Sequence, residues 1–106
     1  MTGDISLTAG LTSSSGQKGG DVRISGGEGS SAHTKDGGDG GSLIFIGGEA
    51  KGEGENDNGG SIAIQGGLSY EGYGGSVDLS SGPSSKSSSG DIKLHTADAG
   101  REGSSK

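Results

Sequence analysis

The chain has 106 residues, 27 of them glycine, with 24% hydrophobic residues, one Phe, two Tyr, no Trp, no Cys and a net charge of −6. The glycines lack the every-third-residue spacing of collagen, so a triple helix is excluded, and without Cys there are no disulfides, thiol nucleophiles or Cys-type zinc sites. The 8 basic residues are dispersed, which argues against nucleic acid or an anionic membrane surface as a partner. No apolar run approaches the ~18 residues that a membrane helix needs.

The composition is close to that of a disordered chain, but the large apolar residues are not scattered. Most fall in six copies of one eight-residue frame: Gly, then Asp or Ser, apolar, any, apolar, any, small, Gly. The copies start at Gly3, Gly20, Gly41, Gly60, Gly75 and Gly90. The first reads Gly3-Asp4-Ile5-Ser6-Leu7-Thr8-Ala9-Gly10, with the period of two expected of a half-buried strand. The third, Gly41-Ser42-Leu43-Ile44-Phe45-Ile46-Gly47-Gly48, is the most apolar.

Stacked in register, the copies give two columns of large apolar side chains, and these are the expected core. The first is Ile5, Val22, Leu43, Ile62, Val77 and Ile92; the second is Leu7, Ile24, Phe45, Ile64, Leu79 and Leu94. β-Branched residues dominate the first, as a pleated surface favours. The seventh position is small in every copy (Ala9, Gly26, Gly47, Gly66, Ser81, Thr96) and implies a close approach of backbone. The outward fourth position has no common chemistry, although Asp78 and Lys93 would be neighbours of opposite sign in a parallel stack.

Successive copies start 17, 21, 19, 15 and 15 residues apart, leaving connectors of 9, 13, 11, 7 and 7 residues rich in Gly, Ser and charge. One short strand per 15–21-residue repeat predicts an all-β fold, a parallel β-solenoid (β-helix-like) of about six rungs, in a single repeat domain over 1–106. An antiparallel meander is the alternative, but these connectors are long for hairpin loops, which favour about 2–5 residues. Twelve large apolar side chains from one face make a marginal core at ~1.5–3 kcal/mol apiece, against ~1–2 kcal/mol per residue of backbone ordering. Partner chains are therefore expected to meet the apolar faces. The first and last copies look like the middle ones and carry no cap, so a homo-oligomer or end-to-end stacking is expected.

Candidate chemistry is sparse. His33 lies in a connector and His95 on a frame, too far apart in a stack for a dyad. No catalytic residues are assigned. The acidic connector 49–59 supplies Glu53, Glu55 and Asp57 as candidate Ca²⁺ ligands, since hard oxygen donors in a glycine-flexible loop suit that ion. The calcium-roll pattern at 37–44 has Ser42 where the ligand Asp belongs, so a solvated acidic loop is preferred and no cofactor is assigned. Tyr70 and Tyr73, with Leu68, form a candidate surface for a glycan or a protein partner. No glycine-rich stretch ends in the Gly-Lys-Ser/Thr of a phosphate loop.

At Gly59-Gly60-Ser61-Ile62-Ala63-Ile64-Gln65-Gly66-Gly67 and its relatives the chain resembles the Gly/Ser-rich tandem β repeats of large surface or secreted structural proteins of microalgae and oomycetes. The frame is also similar to the fibrous β-solenoids of adhesins and phage fibres. The resemblance implies a structural array outside the cell or at its surface and transfers no site residues. No basic segment followed by an apolar one opens the chain, so no signal peptide is expected within it.

Overall fold

The computed structural model describes residues 3–98, and none of these lies in a helix or a β-strand. This corrects the expected all-β architecture. Among the described residues there is no parallel β-solenoid, no β-helix-like stack of rungs and no sheet. What repeats is the closure of the connectors.

Each of the first five frames ends on a glycine whose carbonyl accepts a hydrogen bond from the amide of the glycine that opens the next frame. Gly20 donates to Gly10 at 2.8 Å, Gly41 to Gly27 at 2.8 Å, Gly60 to Gly48 at 2.8 Å, Gly75 to Gly67 at 2.8 Å and Gly90 to Gly82 at 3.0 Å. The same two frame positions meet in all five cases, although the connectors range from 7 to 13 residues. The frame glycines therefore set the register, and the connectors are loops tied at their base.

The sense of closure is antiparallel. In the connector 28–40, Gly41 bonds Gly27, Gly29 lies against Gly38 and Asp39, and Gly38 donates to the Ser31 carbonyl at 3.0 Å. Partners step backward as the chain steps forward, which is a reversal and not a rung. Bends occupy 14–16, 34–36, 54–56, 70–72 and 85–87, one per connector. Because every connector is odd in length, each reversal is centred on one residue: Ser15, Thr34, Gly54, Glu71 or Lys86.

This register explains why the period-two pattern does not mature into a sheet. Closure joins frame position eight to position one of the next copy, so an antiparallel pairing carried into the frames would set positions three and five opposite six and four. Opposed residues of an antiparallel pair share a face. The apolar pairs of successive copies would then fall on opposite faces, and neither face would carry a continuous apolar surface. The third copy is the exception, because Ile44 and Ile46 are apolar at positions four and six as well.

The expected close approach at the small seventh position is present. A β-carbon on Gly26 would stand 2.6 Å from the Gly41 carbonyl oxygen, and β-carbons on Gly47 and Gly66 would run into the carbonyls of Gly60 and Gly75. At those three α-carbons a side chain would force the loop base to shift; the first and fifth loops close beside the β-carbons of Ala9 and Ser81.

None of the described residues is buried. The twelve residues of the two apolar columns range from 50% exposed at Leu43 to 95% at Leu94. Ile5, which no loop base precedes, is 94% exposed, whereas the other members of its column are 50–60% exposed beside their closing glycines. Backbone proximity divides the chain into two units, Met1–Ile62 and Ala63–Lys106. The first three loops close within the first unit and the last two within the second.

Candidate functional site

Among the described residues there is no cavity and no cluster of three or more His, Cys, Asp or Glu side chains. The candidate functional surface is made of exposed frames and loop tips.

The loop tips are shaped by one polar side chain per connector. Thr12 Oγ1 accepts from the Ser14 amide at 3.3 Å, and His33 Nδ1 accepts from the amides of Lys35 and Asp36, both at 3.3 Å. An Asp57 carboxylate oxygen accepts from the Gly54 amide at 2.8 Å. Ser69 Oγ accepts from Gly72 at 3.0 Å, and Ser84 Oγ accepts from Lys86 at 3.4 Å and from Ser87 at 3.0 Å. These are local side-chain turns in which a short acceptor substitutes for a backbone carbonyl. Sequence reasoning did not single out Thr12, Ser69 or Ser84. Their signal was the Ser or Thr one or two residues ahead of a Gly- or Ser-rich bend, and it is faint in a chain with so many serines.

Replacing Ser84 with Ala will release the Ser87 amide. The expected result is a temperature coefficient of that amide proton moving to the solvent-exposed range in NMR spectra, with the amides of the other four loops unchanged. The loss corresponds chiefly to the 3.0 Å hydrogen bond from Ser87, about 0.5–1.5 kcal/mol, with the longer one from Lys86 going as well.

The acidic connector does not converge on a point. Asp57 turns its carboxylate onto the Gly54 amide at its own bend, and Glu53 and Glu55 are exposed on either side of that residue. His33 is engaged at the second bend, and His95 Nδ1 stands 3.3 Å from the Thr96 carbonyl. The ion pairs are also local. Lys18 pairs with Asp21, and Lys93 lies 3.7 Å from Asp91 instead of reaching Asp78. Both are highly exposed, which makes each worth little in water.

Tyr70 and Tyr73 flank the fourth bend and are the most exposed aromatic residues, at 95% and 102%, with Leu68 at 81% beside them. The bend is held by Ser69, so both rings are presented from a short tied loop of seven residues. No helix among the described residues is long and apolar enough to cross a membrane.

Comparison with protein-family models, curated proteins and solved structures gives no match for this chain.

Proposed function

We propose that the chain is a non-enzymatic structural repeat module that self-associates into a rod, fibre or surface assembly outside the cell. The observation that carries this reading is the exposure of the frames. Eighteen large hydrophobic side chains stand at least half exposed, and no described residue is buried. Monomeric soluble proteins rarely leave so much of their apolar complement in water, and a large exposed apolar surface marks an interaction site. Copies of the same chain are the partner that offers the same frames at the same spacing. The extracellular placement rests on the resemblance of the frame to surface and secreted repeats.

Negative-stain electron microscopy of the purified chain tests the proposal. Filaments or discrete oligomers are the expected result, and single particles at all concentrations would contradict it. This reading gives calcium no part in the assembly, with Asp57 holding its own bend. Circular dichroism spectra recorded with millimolar calcium and with chelator will therefore superimpose; a strand signal that appears only with calcium would move the function to ion binding.

A second reading draws on Tyr70 and Tyr73. Exposed tyrosines on a tied loop suit stacking against sugar rings, and the chain would then be a carbohydrate-binding module. Binding to a polysaccharide that is lost on replacing both tyrosines with Ala would favour this reading.

A further inference from the structure

The third frame differs from the other five in a way that the repeat alone does not require. Ser42-Leu43-Ile44-Phe45-Ile46-Gly47 places apolar side chains on both faces of an extended segment. Leu43 and Phe45 lie on the common face, and Ile44 and Ile46 lie where the other copies carry Ser, Thr, Arg, Asp, Lys, His, Gln or Ala. Ile44 and Ile46 are 74% and 84% exposed. No backbone hydrogen bond forms between 42 and 47 among the described residues, so the segment presents free amides and carbonyls along its length. It contains no charge and no proline, and the nearest charged residues are Asp39 and Glu49.

We infer that residues 42–47 are the nucleating contact of self-association, pairing edge to edge with the same segment of a second copy and burying both faces between stacked copies. The inference rests on the self-association proposed above and names the place where it begins. Three physical points select this segment and this occupant. A strand with one apolar face is satisfied by one covering layer, whereas a strand with two needs neighbours on both sides, which is the arrangement of a dry zipper between sheets. The free backbone groups are a template for strand addition. The net charge of −6 makes two copies repel when they meet through their acidic connectors, and an uncharged stretch is where like chains approach at least electrostatic cost. The fourth frame is also uncharged, but its second face carries Ala63 and Gln65 and buries much less.

The test uses the full chain and two doubly substituted variants, I44S/I46S and A63S/Q65S. Sedimentation velocity gives the concentration at half association, and thioflavin T fluorescence reports cross-strand order. The I44S/I46S chain keeps every residue of the two common columns. It should need about a hundredfold higher concentration or more to associate and lose the thioflavin T signal, while A63S/Q65S, on the same face of the fourth frame, shifts the midpoint by less than about tenfold. If I44S/I46S associates like the wild type while wild-type association stands, the nucleating role is overturned and the self-association proposal survives. If the wild-type chain is monomeric throughout, both fall.

Discussion

A chain carrying Ser in place of both Leu43 and Phe45 will lose self-association over the range in which the wild type assembles. These residues are 50% and 62% exposed in the single chain, so replacing them removes little packing within it. The change is felt only in the assembled state, where each side chain contributes ~1.5–3 kcal/mol on burial. Two such losses correspond to a shift of about a hundredfold or more in the midpoint concentration. Sedimentation velocity of the variant beside the wild type measures it. An unchanged midpoint would show that the frames are not what the copies bury.

A methyl group on Gly66 will displace the base of the loop between Gly67 and Gly75, and the same group on Gly67 will leave it undisturbed. The two positions are adjacent and have the same composition around them, but their surroundings differ. A β-carbon on Gly66 would overlap the Gly75 carbonyl, whereas one on Gly67 meets nothing within 4 Å. The obstacle in the first case is backbone, which cannot turn aside as a side chain does. Gly66→Ala should therefore displace the loop base and weaken the 2.8 Å bond from the Gly75 amide to the Gly67 carbonyl, seen as a Gly75 amide that exchanges faster and responds more strongly to temperature. Gly67→Ala should leave that amide unchanged. Equal behaviour of the two variants would contradict the loop-base geometry.

These two outcomes bear on how much of the molecule was legible in its sequence. The small seventh position of the frame, with Gly26, Gly47 and Gly66, pointed to close backbone approach, and the loop bases supply it. The frame boundaries were legible too, since the glycines that define them are the ones that close the loops. The sheet was misread. Ile5 and Leu7, or Val77 and Leu79, satisfy a period of two without anything in the chain to bury them against, and periodicity does not report whether a second layer exists. Connector length favoured parallel rungs, yet the connectors reverse the chain because Ser69, Ser84, Asp57 and His33 each tie a bend, and a single Ser or Asp among many carries little signal. The metal candidates Glu53, Glu55 and Asp57 were grouped by closeness in sequence; the bend at 54–56 turns Asp57 inward to Gly54 and does not gather the three.

The central claim is that apolar frames left in water by the single chain are buried between copies. Sedimentation velocity over a wide range of chain concentrations, with far-ultraviolet circular dichroism on the same samples, tests it most directly. The account predicts a sedimentation coefficient that rises with concentration and a strand signal that grows with it, because extended frames acquire partners only in the assembly. A single slow species at every concentration, with a spectrum that does not change, would contradict it.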